Sequence, residues 1–94
     1  ISPKDFTLLE GDFKTLDVRK KSETKISSLD SSKKIPLSDI HLNLDSLNKK
    51  DKIYVHCAGG YRSMIALSIL KRNGFNNIVD INEGYKGIQQ CLVQ

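Results

Sequence analysis

Apolar residues recur along this chain in short bursts, each closed off by glycine, proline or charge. The burst in KIYVHC, Lys52 to Cys57, is β-branched and aromatic, with charge before it and glycine after. It predicts a strand buried on both faces at the centre of a sheet. FKTLDVR, Phe13 to Arg19, and NNIVDI, Asn76 to Ile81, predict two more strands. SMIALSILKRNG predicts a helix, with Ser63 at its start, Lys71 and Arg72 in its last turn and Gly74 just past its end. Its apolar positions, Met64, Ile65, Leu67, Ile69 and Leu70, wrap most of the circumference, so the helix is expected to be largely buried.

Weaker signals fill the intervals. Ser2-Pro3 is a cap and first-turn pair that opens a short helix in SPKDFTLLE, and Gly11-Asp12 reads as a turn. The polar KKSETKISSLDSSKK predicts a loop with one helical turn near Ser22 to Lys25. Ile35-Pro36-Leu37 suits an edge strand or an extended entry, and Ser38-Asp39 could cap a helix running toward Leu47. Asn82-Glu83-Gly84 forms a turn, and YKGIQQCLV, Tyr85 to Val93, a last helix with Gly87 inside it. Strands alternating with helices imply an α/β fold, a central parallel sheet flanked by helices. The 94 residues suit one domain, 1–94. A start at Ile1 without methionine suggests a domain cut from a longer chain, or a trimmed one.

Composition narrows the function classes. With 38% hydrophobic and 28% charged residues the chain is neither disordered nor fibrous. The net charge of +4 arises from lysines in small groups, Lys20-Lys21, Lys33-Lys34, Lys49-Lys50 and Lys52, beside turn-like residues. These read first as solvated loops and helix ends, and second as a surface that attracts anions. No basic run carries interleaved aromatics, so no nucleic-acid partner is expected. No apolar stretch reaches the roughly 18 residues of a membrane span. Cys57, Cys91, His41 and His56 are too scattered for a zinc site, and no metal is expected. A disulfide between the two cysteines stays open, but it would not make a secreted scaffold. The setting expected is cytoplasmic and reducing.

The chemistry concentrates in HCAGGYRS, His56 to Ser63. Cys57 stands where a strand ends at the carboxyl edge of the sheet, where ligands of open α/β folds bind. The helix N-terminus that follows offers unpaired N–H groups and a positive dipole end. A thiol placed there should have a depressed pKa and react as thiolate. Gly59 and Gly60 let the loop curl so that its N–H groups converge on sulfur, and Arg62 adds a fixed positive charge at the rim. The stretch reads as a cradle for an anion attached to, or attacked by, sulfur.

HCAGGYRS, with LDVRKKSE upstream and IPLSDI between, resembles the rhodanese homology domain over about Leu16 to Gly87. Asp17, Val18 and Arg19 match the family's Asp-Val-Arg, Glu23 its following glutamate, Cys57 through Arg62 its active-site loop, and Gly84 and Tyr85 its closing glycine-aromatic segment. The chain is similar to short single-domain bacterial members and to the C-terminal module of metallo-β-lactamase-fold persulfide dioxygenases. It departs in SSLDSSKKIPLSDI, which keeps Ile35-Pro36 but not the family's usual glycine and histidine, and in lacking tryptophan. That leaves the shape of one wall beside the site open.

The resemblance implies sulfur transfer. Cys57 would take a sulfane sulfur from a small anionic donor, thiosulfate or a low-molecular-weight persulfide, and pass it to a thiol acceptor or cyanide. The loop amides from Ala58, Gly59, Gly60, Tyr61, Arg62 and Ser63 would hold the persulfide anion, and Arg62 would attract the donor. Asp17 and Arg19 would brace loop and sheet. No cofactor is implied, since the carried sulfur is covalent. A monomer, or one part of a multidomain chain, is expected. The cysteine-phosphatase loop is longer by one residue between cysteine and arginine, and no general acid is evident here. Arsenate reduction is less favoured on the same ground. The competing classes are a docking or regulatory module without turnover and a persulfide relay domain of a larger enzyme. His56, adjacent on the strand, should face away from the Cys57 side chain as a satisfied sheet histidine. Tyr61 suits a gate or a lid equally, Cys91 reads as packing, and Glu83 has no evident role.

Overall fold

The computed structural model describes residues 1–92. Its sheet holds β1 (Lys14–Asp17), β2 (Lys33–Lys34), β3 (Ile53–His56) and β4 (Ile78–Asp80), in the order β2-β1-β3-β4. All pairings are parallel, with Asp17 opposite His56 and Val55 opposite Asp80. Parallel strands must leave the sheet by the same edge. The register therefore delivers Val18-Arg19, Cys57 and Ile81 side by side. Backbone bonds extend the ladder there, from Val18 N–H to His56 O at 3.0 Å and from Ile81 N–H to Val55 O at 2.9 Å.

Side chains alternate across β3, as its period of two requires. Ile53 and Val55 join a core with Leu16, Val18, Ile40, Ala66, Leu70 and Phe75, and Cys57 belongs to that side too. Tyr54 faces the other way, into a smaller cluster with Phe6, Ile81 and Ile88. The Tyr54 ring meets Phe13 edge-on at 5.3 Å between centroids.

The helices are α1 (Pro3–Thr7), α2 (Lys21–Thr24), α3 (Tyr61–Arg72) and α4 (Gly84–Leu92). Ser2 caps α1, its hydroxyl accepting from Asp5 N–H at 3.1 Å. The helix expected from Ser38-Asp39 toward Leu47 is instead two 3₁₀ helices, Leu37–Leu42 and Leu44–Ser46. Leu42, Leu44 and Leu47 fit the 3.6-residue period poorly, and tighter turns bury Ile40 instead. The extended entry at Ile35-Pro36 follows β2, with Ile35 N–H bonded to Asp17 O at 3.0 Å. α4 runs through Gly87, where a Cβ would stand 2.6 Å from the Pro3 ring, so glycine lets α1 and α4 meet. Val93, the last residue of the predicted final helix, lies outside the described residues.

One expectation fails at α3. The helix is not largely buried: Ser63, Ala66 and Leu70 are buried, whereas Met64 is 55% and Ile65 41% exposed. α3 packs against β3, β4 and the first 3₁₀ helix, and Met64 and Ile65 point away from them. The lysine groups lie in solvent, as expected. Among the described residues no helix is long and apolar enough to cross a membrane, and no cluster of potential ligands could hold a metal ion.

Candidate active site

Cys57 is the first residue past β3, 1% exposed, and its sulfur lies inside the loop that leads to α3. The helix begins at Tyr61, earlier than the Ser63 expected, because Gly60 serves as its N-cap with φ of 111°. A residue with a Cβ is strained at that angle. The conformation turns the Gly60 N–H onto Cys57 Sγ at 3.1 Å. Gly59 differs: a Cβ there would meet nothing within 4 Å, so steric crowding does not demand its glycine.

The loop's carbonyls are drawn the other way. Tyr85 N–H donates to Cys57 O at 2.7 Å and Lys86 N–H to Ala58 O at 3.1 Å, so the start of α4 holds both oxygens. Gly84 makes this approach feasible. It has φ of 58°, and a Cβ on it would stand 2.7 Å from Ala58 O. With these two carbonyls committed to α4, the loop presents N–H groups to sulfur. Burial alone pushes the Cys57 thiol up, but the N–H groups of Ser63, Gly60 and Gly59 oppose it, and the donors prevail. The thiol lies below its ordinary range, which favours thiolate. Ser63 is buried, and its hydroxyl has one proton; Asp80 Oδ1 accepts it at 2.6 Å.

Arg62 is not a free cation. Nη1 and Nη2 donate to Glu23 Oε1 and Oε2 at 2.6 and 2.9 Å. Tyr61 is 79% exposed and covers nothing. Beneath the loop, Arg19 grips Asp17 with Nη2 at 2.8 Å from Oδ2, both side chains nearly inaccessible. Arg19 also donates to Ser27 O at 2.9 Å and lies over the Tyr85 ring at 4.0 Å. These contacts tie β1, the α2 region and α4 together.

His56 stacks on Tyr85, on the side of the sheet away from the α3 core, with Nδ1 3.2 Å from Cys57 O. It is not the satisfied histidine expected, because Nε2 is buried without a hydrogen-bond partner, 3.8 Å from Asp17 Oδ2. Burial holds its pKa down, against the pull of Asp17 and the Cys57 carbonyl, and the imidazole is neutral at neutral pH. Cys57 and Cys91 are both free thiols, so the open disulfide does not form. Cys91 is half-buried on α4, consistent with packing. Asp80 and the anchoring amides of Tyr85 and Lys86 escaped sequence reasoning. A lone aspartate ending a short strand gives no signal, and main-chain donors leave none.

The family model described as Rhodanese-like domain matches residues 3–91. A rhodanese-related protein from Thermoplasma volcanium superposes with a TM-score of 0.88 at 31% identity, covering 96% of this chain and 89% of that one. YrkF of Bacillus subtilis, provisionally named a sulfur carrier protein, is 31% identical over 71 residues, 76% of this chain and 38% of its own length. The adenylyltransferase and sulfurtransferase uba4 of Ogataea parapolymorpha is 37% identical over 70 residues, 73% of this chain and 18% of its own. The chain thus spans well under half the length of these two relatives. Parallel sheet, cysteine loop and family match agree, and the chain belongs to the rhodanese-like domain family.

Proposed function

We propose that this domain is a sulfurtransferase that carries a sulfane sulfur as a persulfide on Cys57. The Cys57 thiolate attacks the outer sulfur of thiosulfate or of a persulfide R–S–SH. The S–S bond of the donor breaks, and sulfite or a thiol leaves with the bonding electron pair. An acceptor thiolate, or cyanide, then attacks the terminal sulfur of Cys57–S–S⁻ and regenerates the thiolate, a two-step exchange with ping-pong kinetics.

The observation that carries this reading is the recessed Cys57 sulfur receiving the Gly60 N–H at 3.1 Å, in a loop whose Cys57 and Ala58 carbonyls are bound by α4. Such a cradle suits an anion centred on sulfur, including the terminal sulfur of a persulfide. The names of uba4 and YrkF, a sulfurtransferase and a provisional sulfur carrier, support the same chemistry at family level. Intact-protein mass spectrometry after brief exposure to thiosulfate or glutathione persulfide tests it. The expected result is a gain of about 32 Da in wild type, reversed by cyanide and absent in Cys57→Ser. No gain with either donor would move the reading to a docking or regulatory module, and a gain surviving in Cys57→Ser would shift the carrier to Cys91.

A further inference from the structure

Two guanidinium groups stand at the edge of the sheet where Cys57 opens, and each is already paired with a carboxylate. Arg19 is committed to Asp17, to Ser27 O and to the face of Tyr85. Arg62 gives both ends of its fork to the two oxygens of Glu23. Glu23 is itself fixed, because Oε1 also accepts the Lys20 N–H at 3.0 Å at the start of α2. The Arg62 hydrogen bond holds its pKa down to about 2, so this carboxylate stays charged at any working pH. A second carboxylate, Asp80, takes the proton of the Ser63 hydroxyl at 2.6 Å. The remaining cations nearby, Lys20, Lys21, Lys25 and Lys86, are exposed, where solvent and salt screen them.

We infer that Glu23 makes this site selective for a thiol persulfide over thiosulfate. The inference rests on the sulfur-transfer reading above and names its donor class. Thiosulfate brings two negative charges and three sulfonate oxygens that need donors of their own. A persulfide concentrates its reacting charge on sulfur, which the loop amides already serve. Removing the Glu23 charge releases the Arg62 fork to bind a sulfonate group, bidentate as it now binds carboxylate. The step itself is unchanged: Cys57 takes the outer sulfur, and the displaced thiol or sulfite leaves with the electron pair.

The test compares single-turnover rates of Cys57 persulfide formation, read by mass, for thiosulfate and glutathione persulfide, each divided by the donor's rate with free cysteine. Wild type is expected to favour glutathione persulfide, and Glu23→Gln to raise the thiosulfate-to-persulfide ratio about tenfold, the scale of one nearby partly screened charge. A ratio unmoved in folded Glu23→Gln overturns the inference, as does a wild type without preference. If Glu23→Gln fails to fold, wild type alone decides through methanethiosulfonate, which replaces one charged oxygen of thiosulfate by methyl. Its normalised rate must then exceed that of thiosulfate about tenfold, and equal rates overturn the proposal. Absence of sulfur addition from every donor would instead sink the sulfur-transfer reading itself, and this inference with it.

Discussion

At Cys57, burial and hydrogen bonding pull in opposite directions, and N–H donors outweigh desolvation. The expected consequence is kinetic. In a Cys91→Ser background, iodoacetamide should alkylate Cys57 with a pH midpoint below the roughly 8.5 of a free thiol, returning there in denaturant. Identical native and denatured midpoints would refute the cradle. Asp80→Asn should lower the midpoint further, because it removes a negative charge beside the Ser63 hydroxyl while keeping an oxygen for that hydroxyl to bond. The cysteine loop was legible in HCAGGYRS because glycine, arginine and a helix start lie beside one thiol. The Glu23 and Arg62 pair was not, because the partners lie far apart in sequence and meet only when α2 is set beside the start of α3. The orphaned Nε2 of His56 was equally hidden, since alternation along a strand fixes which face a ring occupies but not whether a partner waits there.

The elements repeat this pattern. β1, β3 and β4 followed from short β-prone runs, most clearly β3, which is buried along its whole length. The segment after Pro36 was misread because its leucines serve 3₁₀ turns. α3 was expected to be largely buried, yet its composition could not show that one side would face solvent. That difference is measurable. Leu70→Ala, at a fully buried position, should cost about 2–4 kcal/mol in urea denaturation. Met64→Ser, on the exposed side, should stay within about 0.5 kcal/mol. Equal losses would place both faces against the core.

For the whole molecule, acid is the condition that separates the two carriers of shifted protons, His56 and Glu23. Folding depresses the pKa of His56, so the unfolded chain binds a proton near pH 6.5 that the folded one refuses. The stability it contributes is complete above that pH and is lost as pH falls below it. Glu23 follows the same sign lower down: its contribution is complete above about 4.5 and lost as pH falls toward about 2. Urea midpoints should decline in two limbs, the first no steeper than about 1.4 kcal/mol per pH unit for one proton. His56→Gln should flatten the first limb and Glu23→Gln the second. A midpoint constant from pH 7.5 to 5.5 would contradict a neutral, buried His56. The fold and the cysteine loop were thus open to sequence reasoning, while the charge pairing around them required strands and loops to be brought together.

The N–H groups on sulfur belong to the main chain, and so do the Tyr85 and Lys86 amides that hold the loop open. A survey that truncates side chains one by one would therefore pass over much of this site and credit Cys57 with nearly all of it. The donors answer only to changes in backbone conformation or chemistry. Placing a bulky residue at Gly60 or Gly84 perturbs them indirectly, and exchanging the Gly60 amide for an ester deletes a single one while leaving every side chain in place.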